Sequence, residues 1–132
     1  MKIEHVAFQV PNALEAARWY VAHLGLTVRR RGVEPPYGHF LADDGDGVML
    51  EIYSFAEVET PDYRGRDPRE VHIAFEVNAV AGEVARLTAA GAEAISGPET
   101  VAGGDEVAML RDPWGVCLQL VRRARPLRQS GK

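Results

Sequence analysis

One cysteine, Cys117, stands in 132 residues. A single thiol excludes an intramolecular disulfide, so a packed core has to hold the fold, and a reducing cytoplasm is the expected compartment. Nowhere is there an apolar run near the ~18 residues of a membrane span, so no membrane partner is expected. Positive charge is not in excess either: 15 Lys and Arg against 19 Asp and Glu leave a net charge of −4, which weighs against nucleic acid as a partner. The basic residues that do cluster, Arg29 to Arg31 and the tail group Arg122, Arg123, Arg125, Arg128 and Lys132, read as a solvated strand end and a frayed terminus. The opening MKIEHVAFQV starts a strand at once, with no basic leader followed by an apolar segment, so export is not expected.

What the chain does have is one strand written twice. EHVAFQV at Glu4 to Val10 returns as VHIAFEV at Val71 to Val77, with His5 and His72 offset by 72 − 5 = 67 residues. VMLEIY at Val48 to Tyr53 returns as VCLQLV at Val116 to Val121, which makes Glu51 the counterpart of Gln119 at 119 − 51 = 68 residues. A repeat of this length outranks other fold signals. Two modules of about sixty-five residues would each be marginal alone, so they are expected to share a core within one domain.

The reading along the chain follows the repeat. Alternation in Ile3 to Val10 puts His5, Ala7 and Gln9 on one face and Val6, Phe8 and Val10 on the other. Asn12, with Glu15 three residues on, caps a helix expected from Ala13 to Leu24, stopped by Gly25. Its stripe of Leu14, Ala17, Val21 and Leu24 is expected to cover the Val6/Phe8/Val10 face. Strands follow at Leu26 to Arg31, His39 to Ala42 and, after the DDGDG turn of residues 43–47, Val48 to Tyr53. Residues 55–70 have the Pro, Gly and Asp content of a connector. Module 2, about 71–122, repeats the order: a strand, a helix capped by Asn78 that buries Val80, Val84 and Leu87 before Gly91, then strands near 93–95, 106–110 and 116–121. Gly115 of the Asp112-Pro113-Trp114-Gly115 turn matches Gly47. A tail of residues 123–132 closes the chain.

With Ala17-Arg18-Trp19-Tyr20 leading to Leu24-Gly25-Leu26, the DPWG turn, and histidine and carboxylate residues on repeated strands, residues 3–121 resemble the vicinal oxygen chelate superfamily of glyoxalases, bleomycin resistance proteins and extradiol dioxygenases. The resemblance implies an α+β fold of two tandem βαβββ modules, a curved mixed sheet of half-barrels around a central cleft with helices outside; the cleft is built either within one chain or across a dimer, and a homodimer is the expected assembly. It is specific for the fold and less so for any one activity.

Four strand residues make the candidate metal set: His5, Glu51, His72 and Gln119. Histidine at equivalent positions of both halves is hard to ascribe to chance, and Glu51 within an apolar strand needs a cation or hydrogen-bond donors. Two imidazoles and side-chain oxygens suit one divalent ion, Zn, Ni, Co, Mn or Fe(II). The resemblance carries over His5, Glu51 and His72 as ligands and places Gln119 where most of the family has glutamate. Two neutral histidines, one glutamate and one glutamine leave a divalent site at 2 − 1 = +1, against zero with two glutamates, so the ion is the stronger Lewis acid while one possible base is gone. Glu51 then becomes the expected catalytic residue, a proton shuttle between adjacent carbons. Glu76, four residues beyond His72 and so roughly 13 Å away, is too far to ligate. Cys117 and its counterpart Met49 read as packing residues, as do Trp19 and Tyr20.

The expected function is a metal-dependent lyase or isomerase of glyoxalase type, taking a small α-hydroxy or α-keto carbonyl substrate. His39, Arg64 and Arg66 are candidate substrate-binding residues, the arginines as an anion clamp. Two alternatives stand beside it. An Fe(II) extradiol dioxygenase would use two histidines and a carboxylate, but the resemblance places that carboxylate on the last strand, where Gln119 sits. A sequestering protein would hold a ligand without metal chemistry and would need neither histidine.

Overall fold

The computed structural model describes residues 1–128 and divides the chain into two compact units, Met1–Pro61 and Asp62–Lys132. The division falls inside the expected connector. Lys132 and the end of the expected tail lie outside the described residues.

In the first unit β1 (His5–Gln9), α1 (Ala13–Leu24), β2 (Thr27–Arg31), β3 (His39–Ala42) and β4 (Met49–Tyr53) follow in sequence. The four strands form one sheet in the order β1-β4-β3-β2, with β1 parallel to β4 and the other pairs antiparallel. The parallel pair requires a crossover, and α1, β2 and β3 make it. α1 starts as expected: the Asn12 side chain accepts from the Glu15 N–H at 3.2 Å, and Gly25 closes it at φ 70°, a left-handed conformation that costs glycine little. Ser54 fastens its first turn, accepting from the Ala13 N–H at 2.7 Å and donating to the Val10 carbonyl at 2.8 Å.

The second unit repeats this with β5 (Ile73–Glu76), α2 (Val80–Ala89), β6 (Glu93–Thr100), β7 (Glu106–Arg111) and β8 (Cys117–Arg122), in the sheet order β5-β8-β7-β6, preceded by a 3-10 turn at Tyr63–Gly65. Each module is therefore βαβββ with an unclosed four-stranded mixed sheet, as the repeat requires.

Three local expectations are corrected. The buried face of α1 is Ala13, Ala16, Ala17, Trp19 and Tyr20, while Leu14 and Val21 are each 37% exposed; small alanines let the helix sit close to the sheet, and Tyr20 fills the space that two aliphatics were expected to fill. Val6 on the apolar face of β1 is 52% exposed, because β1 is an edge strand and α1 rests on β3 and β4. The cap of α2 is Ala79, with no side-chain bond, and not Asn78; its C-terminal cap is Ala90, with Gly91 following at φ 108°. β6 also runs on to Thr100, pairing with β7 through two irregularities.

Candidate functional site

Register decides which side chains meet, because residues paired across a ladder point to the same face. In the first unit Ala7 pairs with Glu51, and Glu51 with Phe40. His5, Glu51 and Phe40 thus share the face turned away from α1. The structure brings the first two together: His5 Nε2 lies 3.5 Å from Glu51 Oε1, with side chains 38% and 22% exposed. Phe40 stands edge-on to the His5 ring, centroids 5.2 Å apart.

The other ring nitrogen of His5 is engaged. Its Nδ1 lies 2.8 Å from Glu4 Oε1, so each ring nitrogen of His5 faces a carboxylate, Nδ1 that of Glu4 and Nε2 that of Glu51. Histidines that bind metals are held in this way by an outer acceptor. The spacing also suits an ion: two donors about 2.0–2.2 Å from one tetrahedral centre lie about 3.3–3.6 Å apart. His5 and Glu51 therefore fit as two ligands of one divalent metal.

In the second unit His72 sits just ahead of β5, exposed, with Nδ1 2.8 Å from the Pro68 carbonyl oxygen. A carbonyl only accepts, so Nδ1 of His72 carries a proton. Gln119 is half-buried on β8, paired with Ala74 on one side and Met109 on the other. Among the described residues, no three His, Cys, Asp or Glu side chains gather into a group that could hold a metal ion.

The expected substrate-binding residues are employed elsewhere. His39 pairs with Ile52, so it stands on the α1 side of the sheet, away from Glu51, buried at 4% exposure with Nδ1 2.7 Å from the Tyr37 carbonyl. Arg64 donates to the Pro113 carbonyl at 2.7 Å and lies 3.6 Å from Glu93. The carbonyl of Arg66 accepts from Arg111 at 2.8 Å, and the Arg66 side chain is exposed. The connector arginines thus include one that is tied down structurally. The cluster Arg29 to Arg31 is not simply a solvated strand end: Arg29 pairs with Asp46 at 3.1 Å and Arg30 lies 5.5 Å over Phe40. A bulge between Val28 and Arg30 sets Arg30 opposite Phe40 and Arg31 opposite His39.

Two organising residues were missed. Gln9 ties the chain leaving β4 to β1, its Nε2 donating to the carbonyls of Phe55 (2.9 Å) and Val58 (3.1 Å) and its Oε1 accepting from the Phe55 N–H (3.0 Å). Arg111 donates to the carbonyls of Tyr63 (2.9 Å) and Gly115 (3.1 Å) as well as Arg66, joining the 3-10 turn to the DPWG turn. A glutamine on the histidine-bearing face of β1 was the available signal for the first; no pattern signalled the second. Cys117 is buried, and burial pushes its thiol up from the ordinary value, in keeping with a packing role.

The model of the Glyoxalase/Bleomycin resistance protein/Dioxygenase superfamily matches residues 2–120. The chain belongs to that superfamily. No curated protein matches it. Among solved members of the fold, SMU.1112c is 28% identical, with 92% of this chain and 98% of that one aligned at a TM-score of 0.71. A glyoxalase family protein from Bacillus cereus aligns at a TM-score of 0.78 over 92% of this chain and 93% of its own, at 18% identity. TnmS3, an antibiotic binding protein from Streptomyces sp. CB03234, aligns at 0.73 over 94% and 97%, also at 18% identity. At 18% the last two establish the fold alone. Superfamily membership accounts for the duplicated module and leaves the activity to be argued from the residues.

Proposed function

We propose that this superfamily member is a metal-dependent lyase or isomerase of glyoxalase type, with His5 and Glu51 as ligands of a divalent ion and their repeat counterparts His72 and Gln119 completing the set. The observation that carries it is the contact of His5 Nε2 with Glu51 Oε1 at 3.5 Å while Glu4 holds Nδ1. An outer acceptor on Nδ1 is the arrangement that orients a metal-binding imidazole. When bound, the metal supplies Lewis acidity toward two neighbouring oxygens of an α-hydroxy or α-keto carbonyl compound. Glu51 is the carboxylate of the set and takes the proton from one carbon and returns it to its neighbour, a general-base role worth ~10²–10⁴-fold in rate. His5 orients Glu51, and Glu4 orients His5. Arg30 and Phe40 lie on the same face and give it a cationic edge against an aromatic floor, a surface suited to a small polar substrate with an apolar end.

The test is elemental analysis of purified protein beside its variants. One divalent ion per chain, lost in His5→Ala and in His72→Ala and weakened in Glu51→Gln, is the expected result. Full metal content in His5→Ala would defeat the assignment.

One observation favours a second reading, a protein that sequesters a ligand without metal chemistry: no three ligating side chains are grouped among the described residues. On that second reading the purified protein should carry no stoichiometric metal, and chelator should leave its affinity for a ligand unchanged.

A further inference from the structure

On the α1 side of the first sheet, opposite Glu51, lies a second feature that the proposed function does not use. A cavity of about 350 Å³ opens between α1 and the β2/β3 edge, its lining including Leu14, Val21 and Val28 together with Arg18, Arg31 and His39. That size falls within the range of small-molecule pockets, ~300–1,000 Å³. The offset of α1 described above creates it: with alanines packed on the sheet, Leu14 and Val21 stay 37% exposed along one wall. The bulge in β2 creates it too, since it turns Arg31 to the side of His39, its register partner.

The polar groups agree in sign. Arg18 and Arg31 are exposed, and among the described residues neither has an acidic partner, unlike Arg29, Arg64, Arg69, Arg86 and Arg123. No carboxylate lines the cavity. His39 is the buried polar group in its wall; its Nδ1 is committed to the Tyr37 carbonyl. Two free guanidiniums beside an apolar groove, in a chain whose net charge is −4, form a local site for an anion that carries a hydrocarbon body.

We propose that this cavity binds a small amphipathic carboxylate, its head group on Arg18 and Arg31 and its apolar part against Leu14, Val21 and Val28. The site is separate from the Glu51 face and does not rest on the reading given to that face.

Octanoate is the probe, titrated calorimetrically into the full chain, with octylammonium as the control of opposite charge and equal length. Octanoate should bind at one site and octylammonium should not. Arg18→Gln and Arg31→Gln should each weaken octanoate about fivefold, the scale of a partly exposed ion pair. Ala22→Phe, which fills the groove from the outer side of α1 and removes no charge, should abolish binding, and Glu51→Gln should leave it intact. The proposal is overturned if the native chain does not bind octanoate, if octylammonium binds equally, or if Glu51→Gln abolishes binding while Ala22→Phe retains it. Circular dichroism of each variant confirms that it is folded before titration, and a loss of affinity in a folded Arg18→Gln chain then reports on the guanidinium itself.

Discussion

The DPWG turn is one of the features that pointed to this fold, and its Asp112 is the residue whose loss the structure prices most directly. Asp112 is 1% exposed. Its Oδ1 accepts from the N–H groups of Trp114 and Val116, both at 2.9 Å, while its backbone N–H bonds to the Val116 carbonyl at 2.9 Å and its carbonyl accepts from Gly115 at 3.0 Å. Replacing it by alanine deletes the acceptor and strands two N–H groups, the one on Val116 in a buried position. A hydrogen bond to a charged group contributes about 1.5–3 kcal/mol; with the exposed side of the turn able to recruit water for Trp114, Asp112→Ala is expected to cost about 2–4 kcal/mol. Asp112→Asn keeps an oxygen at the Oδ1 position while losing the charge and putting an amide group in place of Oδ2, so about half of that is expected. Urea unfolding followed by far-ultraviolet circular dichroism, with m unchanged across the series, measures the difference. Equal losses for Ala and Asn would refute the argument, since the acceptor atom is what distinguishes them.

Gln9→Ala should release the start of the connector: three bonds to Phe55 and Val58 are lost, for about 1–3 kcal/mol, and faster amide hydrogen exchange at Phe55 relative to the core of β4 is the readout. Asp105 titrates below the ordinary carboxylate range, chiefly because the Ala124 N–H and then Arg123 bond its charged form. Its folded value being the lower one, its contribution to stability is present above the unfolded value and lost as pH falls through the folded value; the acid-side slope of stability against pH should flatten in Asp105→Asn, and an unchanged slope would reject the assignment. Burial raises the Cys117 thiol, so the native protein at pH 8 should react with a thiol reagent far more slowly than the chain in urea; rapid native labelling would show Cys117 to be accessible. Gly32→Ala should be strongly destabilising, because the added Cβ would lie 2.8 Å from both the backbone N and O of Gly38.

Periodicity and the repeat carried most of the fold. Alternation placed β1, β3 and β4 to within a residue or two, and Asn12 with Gly25 bounded α1 as found, because a cap is a local hydrogen bond that neighbouring residues settle among themselves. The misplacements are tertiary. Which stripe of α1 is buried depends on how closely the helix approaches the sheet, and spacing alone does not say that Ala16 and Ala17 outcompete Leu14 and Val21 for the interior. Asn78 looked a better cap than Ala79 by propensity, yet the chain enters α2 one residue later. In the site, the face shared by His5 and Glu51 was legible from parity. The Glu4 contact on Nδ1 was not, since it runs between adjacent residues that alternation sends apart. The direction of Arg31 was hidden by the bulge, which breaks the very alternation on which the reading relied.

That bulge gives the first sheet two chemically distinct sides. Arg30 goes to Phe40 and the His5–Glu51 face, Arg31 to His39 and the α1 face. Were Arg29 paired with Phe40 rather than bulged out, Arg30 would meet His39 and each arginine would serve the opposite face. Deleting Arg29 removes the bulged residue itself, so Arg30 stays opposite Phe40 and Arg31 opposite His39. Arg29→Gln loses a pair with Asp46 that is about half exposed on both sides, worth less than about 1 kcal/mol, and should keep both metal content and octanoate affinity. The deletion should likewise keep octanoate affinity, since Arg31 stays opposite His39 on the α1 face, and metal content, since His5 and Glu51 lie on β1 and β4. A folded deletion variant that loses octanoate would show that the bulge itself, and not the register of Arg31, shapes the α1 face.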